Sequence, residues 1–123
     1  MSDAQVSEIE RALGRELPSE YREFSMTYGG AFVGGLVDGT EDLPILHFFG
    51  ADPGASIFDK MAAYDDLVSD GGLPVARCEL GNIYVLARAN SVHYVNYYGG
   101  RTTARKVADG FADFVARIVV IDE

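Results

Sequence analysis

The sequence predicts an α+β fold, with a mainly antiparallel sheet, an N-terminal helical hairpin, a middle helix and a C-terminal helix packed on it. Three observations carry this. Apolar residues recur at three- and four-residue spacing near both ends of the chain and in its middle. From Pro74 to Val107 the pattern changes to short β-branched and aromatic stretches separated by turn residues. Helical and strand segments do not alternate one for one, which argues against a parallel βαβ sheet.

Each element follows in order. From Ser2 or Asp3 to Leu13, Val6, Ile9 and Leu13 mark a helix that Gly14 stops. Leu17-Pro18-Ser19 starts a second helix, with Ser19 as its N-cap and Tyr21, Phe24 and Tyr28 on one face. Gly29-Gly30 ends it. The short connection between the two predicts a hairpin. Ala31 to Val37, interrupted by Gly34-Gly35, reads as a weak or bulged strand, and Asp38-Gly39 as a turn. Leu43 to Phe49 is a strand with apolar residues on both faces, which places it near the sheet centre. Ser56-Ile57-Phe58-Asp59 has the spacing of an acidic capping box. It opens a third helix with Ile57, Met61, Tyr64 and Val68 on one stripe and Asp59, Asp65 and Asp66 on the other face, closed by Asp70-Gly71-Gly72. Val75–Glu79, Ile83–Arg88 and Val92–Tyr98 are strands joined at Leu80-Gly81-Asn82 and Ala89-Asn90 and ended by Gly99-Gly100, an antiparallel meander. Arg101 to Val107 adds a short strand. Asp109 then caps a last helix whose buried stripe is Phe111, Phe114, Val115 and Ile118.

A chain of 123 residues fits one domain, 1–123, and one of this size buries roughly two-thirds of its unfolded surface without disulfides or metal. Apolar residues at 48% and charged residues at 24% are ordinary globular composition. The single cysteine, Cys78, leaves no disulfide framework. Met1-Ser2-Asp3 leads into a polar, acidic stretch, not the basic and apolar regions of a secretory signal. The longest apolar run, Ile118 to Ile121, is far short of the roughly 20 residues of a membrane span. The expected location is the cytoplasm, with no membrane contact.

The net charge of −9 is unevenly placed. Residues 38–70 carry eight acids against Lys60 alone, whereas residues 71–117 carry three acids and six bases. An acidic field repels phosphate, so direct nucleic-acid binding is disfavoured and a basic partner is steered in. The acids singled out as partner contacts are Asp38, Glu41, Asp42, Asp65, Asp66 and Asp70. The plainer reading of the same residues is a solvated face that keeps the chain soluble.

Catalytic, cofactor and metal sites are not indicated. Neither Gly29-Gly30 nor Gly34-Gly35 leads into Gly-Lys-Ser/Thr, and Gly29-Gly30 follows a helix where a phosphate cradle would open one. His47 and His93 lie in apolar and aromatic strands, 46 positions apart, and a metal site from both with Glu79 lacks ligand spacing. Cys78 reads as a small buried apolar residue. Asp65-Asp66 and Glu41-Asp42, as sequence neighbours, do not face each other as a catalytic carboxylate pair would. Tyr94, Tyr97 and Tyr98 could anchor an interface, with Tyr94 and Tyr98 on one strand face and Tyr97 on the other.

The ordered pieces resemble the SUKH superfamily, whose members include Smi/Knr-type cell-wall assembly regulators. The residues that carry the resemblance are Ile9…Leu13-Gly14…Leu17-Pro18-Ser19-Glu20-Tyr21-Arg22-Glu23-Phe24…Tyr28-Gly29-Gly30 at the N-terminus, Leu80-Gly81-Asn82-Ile83 in the middle, and Val107-Ala108-Asp109-Gly110-Phe111-Ala112-Asp113-Phe114 near the end. Two positions depart from the pattern: Cys78-Glu79 stands where members often carry an aspartate, and Tyr28 where an asparagine usually precedes the glycine stop. The resemblance implies a non-enzymatic protein-binding domain with no cofactor and no family-wide catalytic residue. In the bacterial branch it implies an immunity protein that neutralises a toxin of a contact-dependent or polymorphic toxin system, for example a basic nuclease. The alternative it implies is a housekeeping regulatory or scaffold protein.

Overall fold

The computed structural model describes residues 1–51, 56–96 and 103–120. Its elements are α1 (Asp3–Leu13), α2 (Ser19–Tyr28), β1 (Phe32–Val37), β2 (Pro44–Phe48), α3 (Ile57–Ala63), α4 (Asp65–Ser69), β3 (Leu73–Arg77), β4 (Ile83–Leu86), β5 (Val92–Asn96), β6 (Thr103–Ala108), α5 (Phe111–Ala116) and β7 (Ile118–Val120). Among the described residues the strands form one antiparallel sheet in the order β6-β5-β4-β3-β2-β1-β7. The fold is α+β, as the periodicities predict.

The N-terminal helices form the expected hairpin. Ser2 caps α1 in a reciprocal capping box with Gln5, and Gly14 ends it in the left-handed conformation. Glu10, near the end of α1, accepts from the Leu17 amide and pairs with Arg22 in the first half of α2. At the other end the Met1 ammonium donates to the Ser25 carbonyl. The helices therefore run antiparallel. Val6, Ile9, Leu13, Leu17 and Tyr21 are buried along them.

One sheet face carries an aromatic core. Phe48, Tyr84 and Tyr94 lie at matched register on β2, β4 and β5 through Ala76 of β3. Phe24 packs on Phe48 and Phe111 with ring centroids 4.7 and 5.1 Å apart, and Phe114 sits 5.1 Å from Tyr84. These edge and tilted contacts fix α2 and α5 on that face. On the opposite face Lys60 of α3 lies over the Phe49 ring, 5.7 Å from its centroid.

Six expectations are corrected. Ser19 is the first helical residue of α2. Pro18, with an extended backbone (φ −63°, ψ 147°), holds the cap position, and no side chain caps the end. The third helix is two short ones, broken at Tyr64 (φ −115°, ψ 46°), and Asp65-Asp66 start a new first turn where acidic side chains suit the amide end. Tyr64 and Val68 are only half-buried, so the predicted stripe stops at Met61. Ser56 caps α3 by accepting from the Phe58 amide, in place of the predicted box with Asp59. Asp109 pairs with Lys106, and Gly110 takes the cap of α5. Ile118 leaves the helix to start β7, which extends the sheet beyond β1.

That last step depends on Gly35. A Cβ there would stand 2.9 Å from the Val119 carbonyl oxygen, so glycine lets β7 lie against β1. The predicted bulge in β1 is present between Phe32 and Gly35. β2 is an interior strand, one place from the middle of the sheet. Tyr97, Tyr98 and the Gly99-Gly100 stop lie outside the described residues.

Candidate functional site

The residues that could have made an enzyme site do not converge. His47 is buried on β2, with Nε2 3.2 Å from the Gly30 carbonyl oxygen and its ring stacked on Phe32 at 4.3 Å. His93 is half-buried on β5, three strands away, with Nε2 2.9 Å from Ser91 Oγ. Three strand spacings of about 4.8 Å and an offset of two residues along the strands put His47 and His93 on the order of 16 Å apart. Cys78 is buried beneath the helices, its Sγ 3.3 Å from the Tyr94 hydroxyl, which also accepts from Asn82 Nδ2 at 3.1 Å. Burial, and then the bond to Cys78, push the Tyr94 hydroxyl up to about 12. Glu79 is exposed in the turn after β3. No group of three or more His, Cys, Asp or Glu side chains among the described residues could hold a metal ion.

The six acids are all exposed, and the topology divides them into two groups. Asp38, Glu41 and Asp42 lie in the β1–β2 connection. Asp65, Asp66 and Asp70 lie on and after α4. His47 pairs with Arg77 and Phe48 with Ala76, so β2 enters the sheet where β3 leaves it. Asp42 therefore sits at the Glu79 end of the strands and Asp70 at the other, separated by on the order of 20 Å of strand.

Their surroundings also differ. Both Asp38 carboxylate oxygens are 3.2 Å from Arg117 Nη1, and Arg117 is held above the usual arginine value by its bonds to Asp113 and then Asp38. Glu41 and Asp42 enter no ion pair among the described residues. The α4 group has cations behind it. Arg88 Nε donates to the Asp70 carbonyl (3.2 Å), and Arg15 Nε to that of Gly71 (2.8 Å).

A further surface is absent from the sequence reading. Phe24, Tyr28, Phe32, Phe48, Val115 and Ile118 are among the residues lining an apolar depression of about 410 Å³ between α2, α5 and β1. A second depression of about 430 Å³ adjoins it, sharing Phe24, Tyr28 and Val115 and adding Glu20, Glu23, Phe111 and Ala112. Tyr28 is 55% exposed and Phe32 is 70% exposed. Helical spacing puts Tyr28 in line with Tyr21 and Phe24, but it falls in the last turn of α2, where its side chain stays open to solvent. Phe32 is one residue before a bulged segment, where alternation no longer says which way a side chain faces.

The model of the SMI1 / KNR4 family (SUKH-1) matches residues 1–117. No curated protein and no solved structure matches the chain.

Proposed function

The chain belongs to the SMI1 / KNR4 family (SUKH-1), and from that premise we propose that it is a non-enzymatic protein-binding domain acting as a bacterial immunity protein. The family includes both immunity proteins and Smi1/Knr4 regulators and is generally non-catalytic. The observation that favours the immunity reading is the charge: a net −9, with all six candidate acids open to solvent. Such a surface suits a basic partner, for example a nuclease toxin with a phosphate-binding cleft, and would speed its encounter by electrostatic steering. Occlusion follows once a standard interface of about 800 Å² per partner forms. The described surface of 6709 Å² leaves ample room for one such face. The chain acts as one domain, in the cytoplasm, where it meets an incoming toxin. None of the described helices is long and apolar enough to cross a membrane.

The family match equally favours a second reading, a regulatory or scaffold protein of the cell-wall assembly regulator type. The test is capture with the tagged chain from lysate of its own strain, followed by co-expression. Immunity predicts one large secreted polypeptide whose C-terminal domain arrests growth alone and not beside this chain. Capture of the cell's own regulatory or cell-wall proteins, with no growth-arresting domain among them, selects the scaffold reading.

A further inference from the structure

We infer that the groove between α2, α5 and β1 seats an apolar segment of a partner protein that carries Lys or Arg beside its apolar anchors; this rests on the protein-binding reading above. Among the described residues the exposed aromatic side chains, Tyr28 and Phe32, lie here. Tyr28 and Phe32 flank the groove, and Val120 of the edge strand, 61% exposed, extends its apolar wall. Contiguous exposed apolar surface with a polar rim marks an interaction site on a chain of this size. The two adjoining depressions each have the volume of a ligand pocket, enough for a large apolar anchor.

The floor is already rigid. Phe24 is held between Phe48 and Phe111, so a bound segment orders little of the receptor and the entropic cost of docking is low. The charge at the rim selects the occupant. Glu20 and Glu23 are the charged residues lining the groove, both are exposed, and neither enters an ion pair among the described residues. The cations on α2 and at the end of α5 are engaged elsewhere: Arg22 with Asp3 and Glu10, and Arg117 with Asp38 and Asp113. A basic residue beside an apolar anchor would meet these two carboxylates. A second copy of the chain is disfavoured for the same reason, since a two-fold contact through the groove brings Glu20 and Glu23 against themselves on chains of net charge −9.

The experiment selects a displayed library of random peptides on the immobilised full chain, then titrates synthetic copies of the enriched peptides. The variants are Tyr28→Ser, Phe32→Ser, the pair Glu20→Lys/Glu23→Lys and, away from the groove, the pairs Glu41→Lys/Asp42→Lys and Asp65→Lys/Asp66→Lys. Leu80→Ser, an exposed apolar residue in the β3–β4 turn, is the control, and circular dichroism verifies that each variant is folded. Enriched peptides should combine large apolar residues with Lys or Arg. Their Kd should rise roughly tenfold in Tyr28→Ser and Phe32→Ser, and severalfold in the charge reversal, with Leu80→Ser unchanged. Absence of any binder, peptides without cations, or an unchanged Kd in the groove variants each overturn the inference. So does dimerisation of the parent chain in sedimentation that Phe32→Ser abolishes, which gives the groove to a second copy. Peptides lost only on reversal of Glu41/Asp42 or Asp65/Asp66 keep the protein-binding reading and reject the groove. Groove binding together with failed protection in co-expression does the converse to the immunity reading.

Discussion

Arg15, in the connection between α1 and α2, donates its Nε proton to the carbonyl oxygen of Gly71, 2.8 Å away and 56 residues further along the chain. The same guanidinium reaches Asn90 Oδ1 at 2.9 Å and the carbonyls of Leu86 and Ala87 at 3.2 and 2.9 Å. One side chain thus ties the helical hairpin to the end of α4 and to the β4–β5 turn. Burial, and then the nearby Arg88, lower its pKa, yet it stays charged.

Replacing Arg15 removes donors from several carbonyls at once. Arg15→Lys keeps the charge but loses the planar fork, and should cost about 2–3 kcal/mol in urea denaturation, since bonds to charged groups contribute about 1.5–3 kcal/mol each. A change below about 0.5 kcal/mol would show that the network is solvated surface and not a staple.

Gly50 packs against the end of α2. A Cβ at that position would stand 2.6 Å from the Gly30 nitrogen and 2.7 Å from the Gly29 carbonyl carbon, both backbone atoms that cannot swing aside. Gly50→Ala should therefore lower stability by about 1–3 kcal/mol, seen as a drop in Tm. An unchanged Tm would mean that the Gly29-Gly30 segment yields without cost.

Three buried phenols set the alkaline limit. Burial raises the hydroxyls of Tyr21 and Tyr84 well above the usual tyrosine value and that of Tyr94 to about 12. Their neutral forms are favoured in the folded state. The stabilisation is complete below the unfolded value of about 10 and is lost as pH rises through the folded values. Urea midpoints should be flat across this contribution up to about pH 10 and fall above it. Tyr94→Phe should make the fall shallower, at a cost of about 1 kcal/mol at neutral pH for the lost bonds to Cys78 and Asn82.

The two acid groups sit at opposite ends of the strands, so a single partner of ordinary size is steered mainly by one. With a purified partner, one of the reversals Glu41→Lys/Asp42→Lys and Asp65→Lys/Asp66→Lys should slow association about tenfold at low salt, and the other much less. Stopped-flow association rates at two ionic strengths measure this. If neither reversal changes the rate, steering by these acids is wrong.

Much of the architecture is legible in the residues because local rules fix it. Val6, Ile9 and Leu13 before Gly14, the turns at Gly81 and Asn90, and the alternation through β4 and β5 report periodicity and backbone geometry, which need no distant partner. The misreadings lie where elements end or break. Tyr64 breaks a helix that spacing runs through, and Ile118 follows a helical stripe but joins a strand. At Ile118 the pairing of β7 with β1 outweighs a weak local preference.

The site was less legible for the same reason. The sequence by itself determined the α+β class, the family resemblance and an acidic excess in the middle third, since these depend on composition, order and short-range pattern. Only the tertiary structure decided that the six acids form two groups facing opposite ends of the sheet, and that Tyr28 and Phe32, far from them in character, flank one apolar groove. A residue's exposure and neighbours depend on strand order and register, and these are set by packing between segments that the chain brings together from many residues apart.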